Sequence, residues 1–373
     1  MKIVADDKIP FLQGVFEPVA EVVYLPGAKT TPADVAGADA VITRTRTKCN
    51  AALLDGSRVK FVATATIGFD HFDTAYLERR GIGWTNAPGC NSGSVAQYIA
   101  SALLNLAVKH HFKLDTMTLG VIGVGNVGRK VAAAGRALGM NVLLNDPPRA
   151  EQEGGTGFVG LHEILTCADI VTTHVPLESR GEYATMHLAD RSFFGQMKTG
   201  AFYINSSRGE VCDGNALKEA LKSGKLAGAV LDVWENEPDI DPELLALVDY
   251  ATPHIAGYST DGKANGTAMS VNAVSRCFNL PFKEWYPADV PLPPVTDIRG
   301  GDSGHFEQDL LKIVNVSYNI ADDCGRLRRS PETFEQQRGN YPLRREFPVY
   351  AVCGELGGKL RDAVLALGFQ YRK

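Results

Sequence analysis

Three side chains of chemically useful types follow three separate β-like runs of the sequence. Arg208 comes after AFYIN, Glu237 after AGAVLDV, and His254 after YAT. Oxidation of a hydroxyl group needs a base for the hydroxyl proton, and histidine titrates near neutral pH. We therefore predict that His254 is the catalytic acid/base, that the Glu237 carboxylate orients its ring, and that the Arg208 guanidinium binds a substrate carboxylate.

Each of these residues has a plainer interpretation when it is taken alone. They would then be a surface arginine, a glutamate in a helix-capping stretch and a satisfied loop histidine. Among the other histidines, His71 also follows a β-like run and is the best rival for the base, while His174 ends a predicted strand and could line a cofactor. Asp232 closes its strand, where its carboxylate could accept a hydrogen bond from a nicotinamide amide or cap the turn that follows.

A glycine motif precedes these residues in the chain. Gly123, Gly125 and Gly128 form G-x-G-x-x-G directly after the apolar run 119–122, and Asp146 follows the first glycine by 23 residues. Such glycines allow a tight turn, close approach of a pyrophosphate and close packing of helix on strand, while the helix N-terminus attracts phosphates. The Asp146 carboxylate can accept hydrogen bonds from the adenosine ribose. The motif therefore predicts NAD rather than NADP, the alternative being a glycine-rich turn in some other α/β protein.

A loop in the first part of the chain concentrates positive charge. TRTRTKC, residues 43–49, contains Arg44, Thr45, a second arginine and a lysine, and it follows the β-like run 40–42. Thr64, Thr66 and Gly68 follow the next such run and add hydroxyl and amide groups. We predict an anion site that suits a substrate with a phosphate as well as a carboxylate, although a solvated basic loop is equally compatible with the pattern.

The elements that would position these residues follow an α/β rhythm. Residues 1–95 alternate short β-like runs with helix-compatible segments, a long apolar helix face begins at Val95, and strands are predicted near 118–122, 141–145, 170–174, 201–205, 228–232 and 250–252. Six strands suit a dinucleotide-binding sheet. A helix is predicted over 267–280, a proline-rich linker over 288–295, and a small α+β unit beyond it with helices over 310–320 and 359–367 and strands over 348–353 and 369–371.

Composition excludes several classes of function. The chain has 38 basic and 43 acidic side chains and a net charge of −5, which gives no overall basic field for nucleic acid or an acidic membrane. The seven scattered cysteines include no C-x-x-C pair, so we expect neither a disulfide framework nor a metal site. We see no signal peptide and no membrane-spanning run, and we expect a cytoplasmic protein.

The sequence resembles the D-2-hydroxyacid dehydrogenase superfamily nearly from end to end. The superfamily motifs are GVGNVG, Asp146, the turn 205–209, Asp232, Glu237 and the Pro253–His254 pair. More specific motifs resemble one branch, which oxidises 4-phospho-D-erythronate in the biosynthesis of pyridoxal 5′-phosphate; they are TATIGFDHFD, NAPGCN, NDPPR, HIAGYSTDGKANGT and the C-terminal RGNYPLRREF.

The resemblance implies a fold, a reaction and a set of contacts. It implies a Rossmann-type NAD-binding domain (96–256) inserted in a flavodoxin-like substrate (lid) domain (1–95 and 257–285), plus a small C-terminal α+β dimerisation domain (286–373) of a homodimer. It implies oxidation of the C2 hydroxyl of the substrate by NAD. The implied substrate contacts are Arg44, Thr45, Thr66 and Tyr258, and the implied cofactor contacts are Gly123, Gly125, Asn126, Val127, Gly128, Asp146, Val175, Ser206, Ser207, Arg208, Asp232 and Gly257.

Two positions differ from the superfamily pattern, and other functions are compatible with the sequence. Gln97 stands where the superfamily usually has glutamate, and Val175 replaces a common threonine. We hypothesise that C-terminal arginines, among them Arg338, Arg344 and Arg345, reach the active site of a partner subunit. The alternatives are a 3-phosphoglycerate or hydroxypyruvate dehydrogenase and, from another class, an NAD-sensing corepressor that binds proteins.

Overall fold

The computed structural model describes residues 1–373, which divide into two compact units. The first unit is Met1–Asn91 with Ser259–Pro291, and the second is Ser92–Tyr258 with Leu292–Lys373. The strands are β1 (Lys2–Asp6), β2 (Glu21–Leu25), β3 (Ala40–Thr43), β4 (Phe61–Thr64), β5 (Gly83–Thr85), β6 (Thr118–Ile122), β7 (Asn141–Asn145), β8 (Ile170–Thr173), β9 (Ala201–Asn205), β10 (Leu226–Leu231), β11 (Tyr250–Ala251), β12 (Asp297–Arg299), β13 (Ala351–Cys353) and β14 (Gln370–Arg372).

The helices vary from single turns to five turns in length. They are α1 (Pro32–Val35), α2 (Ala51–Leu54), α3 (Thr74–Arg79), α4 (Ser92–His110), α5 (Asn126–Ala137), α6 (Pro147–Glu153), α7 (Leu161–Cys167), α8 (Arg191–Gln196), α9 (Gly214–Lys222), α10 (Pro242–Leu247), α11 (Thr260–Cys277), α12 (Phe306–Ser317), α13 (Ile320–Arg329), α14 (Phe334–Gly339) and α15 (Gly358–Leu367). None of them is both long enough and apolar enough to cross a membrane.

The first unit is built on a five-stranded parallel sheet in the order β2-β1-β3-β4-β5. Side chains alternate between its two faces, so Val4 joins one buried cluster while its neighbours Ile3 and Ala5 join the other. Val271 and Val274 of α11 pack in that second cluster. This strand order is that of the flavodoxin-like folds, which confirms the predicted fold class of this unit.

The second unit contains a six-stranded parallel sheet in the order β11-β10-β9-β8-β6-β7. The chain runs outward from β6 to β7 and then returns past β6 to β8, so the strand order reverses between β6 and β8. Ligands of open parallel sheets bind beyond the carboxyl ends of the strands at such a reversal. The predicted Rossmann-type sheet of six strands is confirmed, and the glycine motif follows β6 at this point.

The C-terminal residues share a hydrophobic core with the dinucleotide-binding sheet. Helix α4 is almost completely buried, and its Ile99 and Leu103 lie in one cluster with Leu310 and Val314 of α12. Helix α13 approaches the sheet edge, where the thiol of Cys324 accepts a hydrogen bond from the Ala251 amide. A small parallel sheet in the order β12-β13-β14 completes this part of the chain. The predicted three-domain boundaries remain a prediction.

Two predicted helices have different bounds in the structure. Helix α11 begins at Thr260, not at 267, because Ser259 caps it and because Gly262 and Gly266 continue the helix. A Cβ atom at Gly266 would lie 2.4 Å from the Ala65 carbonyl oxygen, so this glycine serves close packing and does not end the helix. The helix expected over 310–320 is confirmed over 310–317 as part of α12, but α12 ends at Ser317 and a separate helix, α13, begins at Ile320, where the Asn319 side chain caps it.

Candidate active site

The loops that carry the three predicted catalytic residues leave the same edge of the second sheet. Strands β9, β10 and β11 are neighbours, and Leu231 of β10 is in register with Asn205 on one side and Ala251 on the other. Because the strands are parallel, their carboxyl ends lie side by side. Arg208, Glu237 and His254 therefore belong to adjacent loops at one edge, as their positions after predicted strands indicated.

His254 and Glu237 form a hydrogen-bonded pair. Nδ1 of His254 lies 2.8 Å from Oε2 of Glu237, while Oε1 of Glu237 accepts a hydrogen bond from the Trp234 amide at 2.9 Å. Since a carboxylate only accepts hydrogen bonds, the proton of the neutral ring resides on Nδ1 and Nε2 keeps its lone pair. Glu237 can therefore orient the His254 ring, and Nε2 of that ring can take a proton. The Glu237 carboxylate can then stabilise the imidazolium that forms.

The backbone at His254 is held in a conformation that L-residues rarely adopt. Its φ of 55° lies in the left-handed region. Asp232 holds this turn, because its carbonyl oxygen accepts the His254 amide at 2.7 Å and its carboxylate accepts the amides of Ile255 and Ala256 at 2.8 and 2.9 Å. Such strain persists only where neighbouring contacts fix it, and it is common at functional sites.

These contacts bear on the two interpretations of Asp232. Its side chain is buried, and it also accepts a hydrogen bond from the Thr252 hydroxyl at 2.6 Å. Burial raises the pKa of the Asp232 carboxyl, an effect that its hydrogen bonds oppose. The geometry favours the alternative in which Asp232 caps the turn; the direct contact with a nicotinamide remains a prediction.

The turn that carries Arg208 is fixed by side chains of its own loop. The Asn205 side chain accepts from the amide and hydroxyl of Ser207 and donates to the Arg208 carbonyl oxygen at 2.9 Å. Gly209 is required by close packing, since a Cβ atom there would lie 2.0 Å from the carbonyl oxygen of Trp234. The Arg208 loop and the Glu237 loop thus support each other.

The glycine motif has the geometry that a pyrophosphate site needs. Gly123 has φ of 83°, and a Cβ atom at Gly128 would lie 1.9 Å from the Gly123 carbonyl oxygen. Gly125 instead faces open space and precedes the first turn of α5, whose amides point outward at the helix N-terminus. Asp146 accepts from the Val124 amide at 2.7 Å and caps α6. These residues fit a dinucleotide.

The other predicted cofactor contacts all lie in the second unit. Asn126 is exposed, and Val127, Val175 and Gly257 are half-buried. The Ser206 hydroxyl is buried without a hydrogen-bond partner, as is Nδ1 of His174. Burial lowers the pKa of His174 to about 3. The individual contacts of these residues with NAD remain predictions.

The predicted anion-binding residues are arranged within the first unit. Arg44 is half-buried and Thr45 is exposed, and the Thr66 hydroxyl pairs with that of Thr64 at 2.7 Å. Lys263 of α11, which the sequence analysis did not single out, lies close enough to Arg44 that this charge, together with burial as the larger cause, lowers the pKa of Lys263. Tyr258, the remaining predicted substrate contact, belongs to the second unit.

His71, the rival base, has a different environment. Its Nε2 lies 3.2 Å from the Thr43 hydroxyl, and burial lowers its pKa to about 4, against the opposing charge of Asp70. No carboxylate partner comparable to Glu237 orients the ring. The geometry therefore favours His254 as the base.

The hypothesis that Arg344 reaches a partner subunit was wrong. Its side chain is buried in its own chain, where Nε donates to Gln97 Oε1, Nη2 donates to the Ser94 carbonyl oxygen, and the guanidinium lies 3.8 Å from the Tyr318 ring centroid. Arg345 is also buried. A motif cannot reveal this, because an arginine in a polar stretch is normally exposed.

Comparisons with known proteins agree with this geometry. The family described as D-isomer specific 2-hydroxyacid dehydrogenase, NAD binding domain, matches residues 100–256, and a domain of unknown function matches residues 290–368. The D-lactate dehydrogenase of Aquifex aeolicus, solved with NAD and lactic acid, is 27% identical with a TM-score of 0.60 over 75% of this chain and 96% of that one. The chain belongs to the D-isomer specific 2-hydroxyacid dehydrogenase family of NAD-dependent oxidoreductases.

Relatives that match over nearly the whole length give a narrower likeness. The erythronate-4-phosphate dehydrogenase of Bacteroides fragilis is 52% identical over 94% of this chain and 99% of its own length. The erythronate-4-phosphate dehydrogenase of Edwardsiella ictaluri is 42% identical, with both chains covered completely.

Proposed function

We propose that this enzyme oxidises the C2 hydroxyl of 4-phospho-D-erythronate to (R)-3-hydroxy-2-oxo-4-phosphooxybutanoate with NAD, as a step in pyridoxal 5′-phosphate biosynthesis. The observation that carries the proposal is the match over 94% of the chain to an erythronate-4-phosphate dehydrogenase, in a chain that retains the His254–Glu237 pair at 2.8 Å. The cations of the 43–49 loop suit an anionic substrate.

Arg208, His254 and Glu237 have separate roles in the proposed reaction. Arg208 would bind the C1 carboxylate with its planar fork, which orients C2. Nε2 of His254 would take the proton of the C2 hydroxyl, and the Glu237 carboxylate would stabilise the resulting imidazolium. The 206–208 turn, Gly123–Gly128 and Asp146 would hold NAD, which would supply the acceptor for the hydride from C2.

Turnover of candidate substrates tests this proposal. Steady-state rates would be measured with 4-phospho-D-erythronate and with 3-phosphoglycerate, using NAD and, separately, 2-oxo acids as final acceptors. We expect a higher kcat/KM for 4-phospho-D-erythronate. Equal or better activity on 3-phosphoglycerate would favour the phosphoglycerate-type dehydrogenase, and binding of NAD without turnover of either acid would favour a corepressor.

A homodimer and a cytoplasmic location belong to the same proposal. The C-terminal part exposes large apolar side chains, among them Val316, Leu343 and Leu365 at 47, 44 and 49%, which an interface between two copies would cover. All seven cysteines are free, which suits a reducing compartment. Sedimentation equilibrium should give twice the monomer mass of 40.2 kDa, and a Leu365→Glu variant should lower it.

A further inference from the structure

The C-terminal segment 334–346 contacts the loop that follows β11 in its own chain. The ring of Tyr341 packs edge-on against the ring of Tyr258 with centroids 5.9 Å apart, and the guanidinium carbon of Arg338 lies 5.8 Å from the Tyr258 centroid. Tyr258 follows His254 by four residues. Residues of the C-terminal segment 334–346 thus lie beside Tyr258, a predicted substrate contact.

Arg338 is held in one orientation by its surroundings. Its Nη1 donates to Glu335 Oε1 at 2.8 Å, and its guanidinium carbon lies 5.9 Å from the Phe334 ring centroid on the same helix, α14. Only 22% of the side chain is exposed, and Nε is buried without a hydrogen-bond partner in the chain. A buried donor without a partner is costly, which is a common sign of a group that serves a ligand.

Nearby groups act on the pKa of the Arg338 guanidinium. Burial by itself would lower the pKa of the Arg338 guanidinium. The Tyr258 hydroxyl and the carboxylates of Glu335 and Glu237 raise that pKa overall, so they lie within electrostatic reach of the guanidinium. Glu237 is the carboxylate that is hydrogen-bonded to His254, and the Tyr258 ring, 5.8 Å from the Arg338 guanidinium carbon, follows His254 by four residues in the same chain.

We propose that Arg338 binds the phosphate of the substrate in its own subunit and so determines specificity for a phosphorylated 2-hydroxy acid. A guanidinium offers several donors in a plane to phosphate oxygens. Arg338 lies within 290–368, which a separate family matches, while the D-lactate dehydrogenase solved with lactic acid, a substrate without phosphate, matches only 75% of this chain. The proposal rests on the proposed function for the identity of the substrate.

A comparison of two substrates tests the role of the phosphate. For Arg338→Ala we expect KM for 4-phospho-D-erythronate to rise about 10- to 100-fold, the loss typical of a charge-assisted hydrogen bond, and kcat/KM for D-erythronate to change little. Arg338→Lys should recover part of the loss. Arg372→Ala is the matched control, because Arg372 also pairs with a carboxylate, that of Asp297, but in the small sheet. Equal loss on both substrates, or no loss, would overturn the proposal.

Binding of inorganic phosphate separates this proposal from the proposed function. Calorimetric titration of the full chain with phosphate needs no turnover. Wild-type protein should bind phosphate and Arg338→Ala should bind it at least about tenfold more weakly, whatever the preferred substrate is. Undiminished binding by the variant, or none by the wild type, would contradict the role of Arg338. If Arg338→Ala does not fold, Arg338→Gln and Arg338→Lys are titrated in its place.

Mixed subunits test whether Arg338 acts in its own chain. Arg338→Ala and His254→Ala proteins would be unfolded together, refolded and assayed at a substrate concentration below the wild-type KM. We expect no recovery, because no chain then has both residues. Recovery to about a quarter of wild-type turnover, the value for random heterodimers with one intact site, would show that Arg338 serves the partner's site.

Discussion

The carboxyl edge of each large parallel sheet carries a histidine, and the two histidines have opposite environments. His71 in the first unit lies against the Thr43 hydroxyl, and burial lowers its pKa to about 4. His254 in the second unit pairs with the Glu237 carboxylate at 2.8 Å and adopts a left-handed backbone conformation. Both histidines follow strands of a parallel sheet, yet their rings have different partners, so the loops and not the sheets determine what surrounds each ring.

The largest effect is expected from the histidine of the second sheet. His254→Ala should lower kcat about 10⁴-fold, because it removes the only proposed proton acceptor, and should leave NADH affinity almost unchanged. Steady-state rates and fluorescence titration of NADH measure the two quantities. His71→Ala is the control in the first unit. A larger loss in His71→Ala than in His254→Ala would reverse the comparison.

The Glu237 carboxylate should matter for charge as well as for orientation. Glu237→Gln keeps the shape but cannot stabilise an imidazolium, so kcat should fall about 10²-fold. Glu235→Gln is a matched control in the same loop, since Glu235 pairs with His187 instead. A measurement of kcat for both variants decides the point, and similar losses would mean that the loop, not the pair, was disturbed.

The packing of the site loops in the second unit should be less tolerant than that of the first. Gly209→Ala would force a Cβ atom to 2.0 Å from the Trp234 carbonyl oxygen, so we expect a loss of about 1–3 kcal/mol in unfolding free energy together with lower kcat/KM. Gly37→Ala in the first unit meets no atom within 4 Å and should be nearly neutral. Urea unfolding of both variants provides the test; equal stabilities would contradict the packing argument.

The smallest effect concerns pH and the His71 side of the comparison. The folded-state pKa of His71, about 4, lies below its usual value of 6.5, so the unfolded chain binds the proton first and stability falls as pH drops from 6.5 towards 4. His71→Gln has no histidine to protonate at this position. Between pH 6.5 and pH 4 its melting temperature should therefore fall by a few degrees less than that of the wild-type protein. Melting curves at several pH values check it, and parallel curves for the two proteins would refute the shift.

The sequence predicted strand positions well where the apolar pattern was regular. The runs at 141–145 and 201–205 are β7 and β9 at those bounds. In β9 every residue is buried, because side chains on both faces of a central parallel strand are covered. It failed at α11, where Gly262 and Gly266 suggested a loop. Gly266 is explained by the Ala65 carbonyl oxygen, a contact between residues about 200 positions apart that no local pattern contains.

Sequence by itself determined the class of site in this protein. The glycine motif requires a helix N-terminus beside a turn, and polar residues after parallel strands must collect at one edge. Gly125, Arg208, Glu237 and His254 could therefore be predicted as site residues from their spacing. Those relations hold because strand direction and helix dipoles are properties of the backbone.

Tertiary structure alone decided where the C-terminal arginines lie. Arg338 and Arg344 are six residues apart in the same polar stretch, yet Arg344 is buried against Gln97 and Arg338 lies beside Tyr258. Their charges look equivalent in the sequence. The two arginines differ in burial, in unpaired donors and in distance from the loop that contains Tyr258. These quantities depend on how the C-terminal segment 334–346 packs against the rest of the chain, and not on the order of its residues.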